Sequence, residues 1–273
     1  MNVLDLFSGI GGFALGLESV GFQTVAFCEQ DGYARRVLKK HWPETWIYED
    51  IRTLTAKRLK ADGIGPIDLI CGGFPCQDIS CAGKGAGIEG SRSGLWSEMH
   101  RIIREVKPRW VIAENVPALR CRGANRVLGD LETAGYTTWP LVVGALHAGA
   151  KHRRQRVWIV AHAAGRDERN VSANVGGGGS RRLPSDLGST GHAAHPPSIR
   201  RSRFRTIQSA HALQCSATWQ TEPDVGRVAD GVPARVDRLR CLGNAVVPQV
   251  VAMIGAAILR WEAPGETSPK FLA

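Results

Sequence analysis

The chain has 273 residues, a formal charge of +10, and 43% hydrophobic against 22% charged residues, enough to bury one large core, or a core with a small second domain, in an ordinary globular protein. The positive balance suits a polyanionic partner, nucleic acid before an anionic membrane. Seven cysteines, an odd number without regular spacing, exclude a disulfide framework, and no Cys/His run has the spacing of zinc ligands, so no metal site is expected.

Free thiols imply a reducing compartment, and a cytoplasmic location is expected. The sequence enters a strand at Val3, so no leader is expected, and no apolar run reaches the roughly 20 residues of a membrane span.

Val3 to Phe7 reads as a strand interrupted by Asp5. Ser8-Gly9-Ile10-Gly11-Gly12 follows, and then a helix to Val20 with Phe13, Leu17 and Val20 on one side. Strand, glycine turn and helix form the ligand-binding unit of Rossmann-like folds, although the glycine spacing is not that of a dinucleotide site. Gln23 to Cys28 is a second strand ending at Glu29, and Asp31 to His41 a helix. Thr45 to Tyr48 is a third strand ending near Asp50-Ile51. A glycine turn and two strand-tip acids at one sheet edge suit a ligand with a ribose and an adenine but no phosphate requirement. Glu29 taken alone reads equally well as a solvated surface residue.

Ile67 to Cys71 is a buried strand, after which Gly72-Gly73 is expected to turn the chain into Phe74-Pro75-Cys76-Gln77. A thiol at a strand exit is either a buried apolar side chain or a nucleophile. Ser80 to Gly94, rich in glycine and serine, reads as a loop beside it. A helix follows with Leu95, Met99, Ile102, Ile103 and Val106 on one face. The strand Trp110 to Ala113 then delivers Glu114-Asn115, where desolvation can turn a carboxyl into a general acid. Ala118 to Ala134 reads as one helix. Thr137 to Val143 and Arg156 to Val160 read as an antiparallel pair joined through the basic cluster Lys151-His152-Arg153-Arg154-Gln155-Arg156.

From Ala161 to about Val236 no periodicity is visible. Between Arg181 and Arg205 lie six arginines (Arg181, Arg182, Arg200, Arg201, Arg203, Arg205) against one acid, Asp186, a composition suited to phosphate and base contact. Gly243-Asn244-Ala245-Val246-Val247-Pro248 introduces a last helix whose stripe of Val250, Val251, Ile254, Ile258 and Trp261 needs the core of the first half as its partner. The expected architecture is α/β, with residues 1–162 and 240–262 forming one domain, 163–239 a small irregular second domain and 263–273 a tail.

Asp5 to Phe13, Pro75-Cys76-Gln77, Glu114-Asn115-Val116, Arg154-Gln155-Arg156 and Gly243 to Pro248 stand in this order and spacing. In this the chain resembles the DNA (cytosine-5)-methyltransferases, and its compact size those of phage and bacteria. The resemblance covers about Val3 to Val160 and Gly243 to Trp261. It implies a Rossmann-like S-adenosyl-L-methionine fold with a mixed sheet, a small target-recognition domain, and base flipping on double-stranded DNA. It implies catalytic roles for Cys76 as nucleophile, Glu114 at N3 of the cytosine, and Arg156 at O2 with Arg154 beside it. It places Phe7, Gly9, Gly11, Glu29, Gln30, Asp50, Ile51, Pro75, Leu95 and Asn244 around the cofactor. Gln77, Ser80 and the six arginines of the irregular segment would contact DNA. The protein would act as a monomer, and a cognate restriction endonuclease would act separately. Two positions depart from the family pattern: His152 stands where Gln or Asn is usual, and Gln155 where Glu or Asp is usual. The Cys-Phe-Thr signature of the tRNA-acting relatives and the Asp-Pro-Pro-Tyr type of amino-group methyltransferases are absent.

Overall fold

The computed structural model describes residues 1–75, 94–163, 205–206 and 234–263. In chain order the elements are β1 (Asn2–Leu6), α1 (Gly12–Glu18), β2 (Gln23–Cys28), α2 (Gly32–His41), β3 (Trp46–Tyr48), α3 (Ala56–Ala61), β4 (Leu69–Gly73) and α4 (Leu95–Val106). They continue with β5 (Trp110–Asn115), α5 (Leu119–Arg122), α6 (Ala124–Thr133), β6 (Tyr136–Val143), β7 (Arg156–Ala163), β8 (Arg205–Thr206), α7 (Arg235–Asn244) and α8 (Pro248–Glu262).

The strands form one sheet in the order β3-β2-β1-β4-β5-β7-β6-β8. Strands β1 to β5 pair in parallel. β7 runs antiparallel between β5 and β6, and β8 lies parallel to β6. The chain winds outward from β1 to β3 and then returns to place β4 on the other side of β1. A crevice therefore opens at the carboxyl ends of these two central strands.

Both faces of the sheet are covered, which is why its central strands read as near-continuous apolar runs. Leu4, Leu6, Ile70, Val111 and Ala113 face one layer, made by Trp96, Met99, Ile102 and Ile103 of α4 and Val127, Leu128 and Leu131 of α6. Val3, Leu69, Cys71, Ile112, Trp158 and Val160 face the other, made by Phe13 and Leu17 of α1 and Val250, Val251, Ile254 and Ile258 of α8. The final apolar stripe thus finds its partner in the first helix. The approach is close: a Cβ on Gly16 would stand 2.7 Å from the Cβ of Val251, and one on Gly255 3.0 Å from Leu17. The far end of α8 is tied down by polar contacts, since Glu262 accepts from Trp110 Nε1 at 2.7 Å and pairs with Arg109 at 2.6 Å. Trp110, Trp139, Trp261 and His162 pack around that anchor, mostly edge to face or tilted.

Two sequence expectations are corrected, and two further features are added. Gly72 and Gly73 do not turn the chain; they are the last residues of β4, paired with Leu6, Ala113 and Glu114. A side chain at Gly72 would sit 2.6 Å from the Leu6 carbonyl oxygen, so glycine is required by close strand approach. The single helix expected over 118–134 is two, broken at Gly123. Two short helices, α3 and α7, were not visible in the periodicity; α3 buries only Leu59, and α7 buries no residue. Finally, residues Arg235–Glu262 are long and apolar enough to cross a membrane by length and composition. This stretch is nevertheless two helices: Ala245 leaves helical geometry at ψ 142, and Pro248 opens the second, whose apolar side chains lie in the core.

Candidate active site

At the carboxyl edge of the sheet a cavity of about 350 Å³ runs from the β1 and β2 tips to the β5 tip. The first wall is the turn after β1. Phe7 adopts φ 54, a left-handed conformation uncommon for a non-glycine residue, and Gly9 and Gly11 follow at φ 55 and 86. Ser8 closes the turn, its hydroxyl donating to the Asp5 carbonyl at 2.7 Å. Glu29, at the β2 tip, accepts from the Gly9 amide at 2.7 Å through Oε2 and from the Asp31 amide at 2.7 Å through Oε1. Each carboxylate oxygen keeps a further lone pair for a ligand hydroxyl. Asp50, at the β3 tip, is held by the Arg52 guanidinium and backbone amide, which lower its carboxyl below the usual range.

Phe7, Gly9, Glu29, Gln30, Asp50, Ile51, Pro75, Leu95 and Asn244 all line this cavity. Gly11 does not. Its place is structural, because a Cβ there would stand 2.5 Å from the Trp42 ring. The lining is suited to an uncharged purine nucleoside: two strand-tip carboxylates for hydroxyls, and Phe7, Ile51 and Leu95 for a flat apolar ring. S-adenosylmethionine presents an uncharged adenosine part of this kind, joined through a sulfonium to a methionine chain, so the donor set fits that part of it.

The other end of the cavity is built by β5 and β7. Their antiparallel register sets Glu114 opposite Trp158 and Asn115 opposite Val157, which leaves Arg156, the first residue of β7, beside the β5 tip. Arg156 Nε donates to Glu114 Oε1 at 3.0 Å. Glu114 is only 8% exposed, and burial pushes its carboxyl up to about 7 despite the opposing pull of Arg156 and Arg154. It can therefore carry or release a proton near neutrality. Its other oxygen lies 2.9 Å from where a Cβ on Gly73 would be, which gives the second glycine of β4 its purpose.

Asn115, not singled out by sequence reasoning, donates through Nδ2 to the Phe74 carbonyl at 3.1 Å, while its Oδ1 accepts from the Val116 amide at 2.8 Å. It fixes the backbone that leads into Cys76. Asp5 reads in the sequence only as an interruption of β1. It is fully buried, neither carboxyl oxygen makes a well-formed hydrogen bond, and the Cys71 thiol lies beside it. Burial raises its carboxyl well above the usual range.

Arg154 does not line the cavity. Its guanidinium instead donates to the carbonyls of Gly243 and Ala245. Arg240 and Cys241 do line it, and Arg240 reaches Asp31 at 2.6 Å. Both sit on α7, whose lack of a buried face hid them from the sequence. Cys76, Gln77, Ser80, Arg181, Arg182, Arg200, Arg201 and Arg203 lie outside the described residues, and Arg205 is described only as backbone of β8. Among the described residues no cluster of three or more potential metal ligands occurs.

Comparison with known proteins gives the same direction. The family model of C-5 cytosine-specific DNA methylases matches residues 1–190. The type II methyltransferase M2.BsuMI of Bacillus subtilis is 38% identical over 169 residues, 59% of this chain and 42% of its own length. The type II methyltransferase M.HhaI of Haemophilus parahaemolyticus is 34% identical over 164 residues, 59% of this chain and 48% of its own. The chain thus spans less than half the length of these relatives. Among solved structures, a prophage-encoded DNA modification methyltransferase of E. coli superposes with a TM-score of 0.52 at 28% identity, covering 60% of this chain and 47% of that one. A methyltransferase of Entamoeba histolytica superposes with a TM-score of 0.52 at 18% identity, covering 59% and 52%, a likeness of fold alone. With its glycine turn, its strand-tip acids and its β5 and β7 tips all inside the matched residues, this chain belongs to the C-5 cytosine-specific DNA methylase family.

Proposed function

We propose that the protein is an S-adenosylmethionine-dependent DNA (cytosine-5)-methyltransferase that flips a target cytosine out of duplex DNA and methylates it at C5. The observation that carries this reading is the Glu114–Arg156 pair. It stands at the end of a nucleoside-shaped cavity whose wall includes Pro75, the residue before Cys76. Residues 1–162 and 240–262 would be the catalytic domain, 163–239 the target-recognition domain and 263–273 a tail. The protein would work as a monomer in the cytoplasm of a bacterial or phage-infected cell, with any cognate endonuclease acting separately.

Cytosine C5 is a poor nucleophile. Addition of the Cys76 thiolate to C6 makes C5 enamine-like and splits one difficult step into easier ones. Glu114, in its protonated form, donates to N3 so that negative charge does not build on the ring. Arg156 contacts O2 while its Nε holds the Glu114 carboxyl in place. The cofactor, when bound against Glu29 and Asp50, supplies the electrophilic methyl group. Loss of the C5 proton and departure of the Cys76 thiolate from C6 then restore the aromatic ring. The base must leave the stack to reach such a site, at a cost of a few kcal/mol.

The test is a covalent one. Wild-type protein incubated with S-adenosylmethionine and duplex DNA carrying 5-fluorocytosine in its target site should form a denaturation-resistant adduct, because fluorine blocks the final loss from C5. Cys76→Ala should form none and should not methylate DNA. An alanine variant that methylates at the wild-type rate rules this mechanism out. Bisulfite sequencing of DNA from cells expressing the protein identifies the target site.

A further inference from the structure

The loop before β7 and the first residue of that strand serve two sites with two arginines. Arg156 holds Glu114. Arg154 turns the other way, and the two hydrogens of its Nη2 go to the Gly243 carbonyl at 2.7 Å and the Ala245 carbonyl at 2.6 Å. Those carbonyls flank Asn244, and the turn from Gly243 to Val246 is one wall of the cavity. Arg154 makes this contact from φ 28, a backbone conformation that a non-glycine residue keeps only when its surroundings impose it.

Little else secures that wall from the α7 side. No residue of α7 is buried, and Val236, Leu239 and Leu242 are exposed. Its contact with the body, Arg240 to Asp31, joins side chains that are 53% and 32% exposed, and such pairs contribute little. On the α8 side, Val246 rests on the glycine turn, 2.9 Å from where a Cβ of Gly12 would be. A guanidinium bonded to two carbonyls is a stronger hold, being charge-assisted at both and partly buried at Ala245.

We propose that Arg154 is a positioning residue that fixes the 243–246 turn as a wall of the cofactor cavity, so that it governs S-adenosylmethionine binding and not the chemistry at the base. This rests on the cavity being the S-adenosylmethionine site, as argued above.

Arg154→Met keeps the side-chain stem and removes every donor; Arg154→Lys restores a cation with three donors. Titration calorimetry of the full chain with S-adenosylmethionine, without DNA, should show the dissociation constant rising about 10- to 100-fold in Arg154→Met. Arg154→Lys should recover most of that loss. In steady-state methylation of duplex DNA, Arg154→Met should raise the cofactor KM by a larger factor than it lowers kcat. Hydrogen–deuterium exchange without cofactor should quicken in peptides covering 241–247 while β1 and β4 keep wild-type protection, which shows that the fold is intact. A wild-type protein that binds S-adenosylmethionine and an Arg154→Met variant that binds it equally well overturn the proposal alone. So does unchanged affinity with a lowered kcat, which assigns Arg154 to the base. Wild-type protein that binds no S-adenosylmethionine overturns the reading of the cavity and this proposal with it.

Discussion

Among single residues, Glu114 has the most measurable physics. Its carboxyl sits at about 7 in the fold against an ordinary 4.5. Between these values the native state holds a proton that the unfolded chain has released, so stability falls as pH rises through this window. The loss is on the order of 3 kcal/mol and complete a little above pH 7. Glu114→Gln should therefore equal the wild type in urea stability near pH 4, below the ordinary value, and exceed it at pH 8 to 9. The same substitution should lower kcat/KM for DNA by about 10²- to 10⁴-fold, the scale of a lost general acid. In the wild type, kcat/KM should decline as pH rises through about 7, because the proposed mechanism uses the acid form. Gly73→Ala should mimic part of this defect without touching the carboxyl itself, since its methyl would meet Glu114 Oε2 at 2.9 Å. Reduced methylation with little change in cofactor affinity is the expected result. Glu29 and Glu114 were legible in the sequence because an acid ending an apolar run leaves a strand at its tip. The partners of Arg154 were not legible, because backbone carbonyls are present at every residue and leave no mark in the sequence.

At the level of elements, the strands and long helices follow from apolar periodicity, and where they do not the reason is local. The two glycines of β4 look like a turn and are strand, because what they accommodate is the Leu6 carbonyl and the Glu114 carboxylate. α7 leaves no periodic trace because it has no buried side to produce one. α8 is the opposite case. Its four buried aliphatic residues, Val250, Val251, Ile254 and Ile258, contribute roughly 1.5–3 kcal/mol each on leaving water. Ile254→Ala should cost about 2–5 kcal/mol, and Gly16→Ala, which overfills the α1–α8 contact, about 1–3 kcal/mol. Urea unfolding followed by tryptophan fluorescence measures both. Because the two substitutions act on the same contact, the double variant should depart from additivity.

The whole molecule carries a charge of +10, and DNA affinity should fall steeply with salt. The logarithm of the binding constant should be linear in the logarithm of salt concentration, with a slope near −0.9 for each phosphate neutralised. Replacing Arg200, Arg201 and Arg203 together by Gln should flatten that slope by up to about three such increments. An unchanged slope would remove these residues from the DNA contacts proposed for them. The packing of α8 against α1 also bears on how the polypeptide can be made. The helix that completes the second layer is reached only after the 70 residues from 164 to 233, yet it lies on the first helix of the chain. A break introduced between 163 and 234 would leave a carboxyl-terminal piece whose oily surface is shaped for one docking site. Produced alone, that piece should clump or adhere to lipid. Synthesised in the same cell as the amino-terminal piece, it should find its groove and rebuild the cofactor cavity from two separate polypeptides.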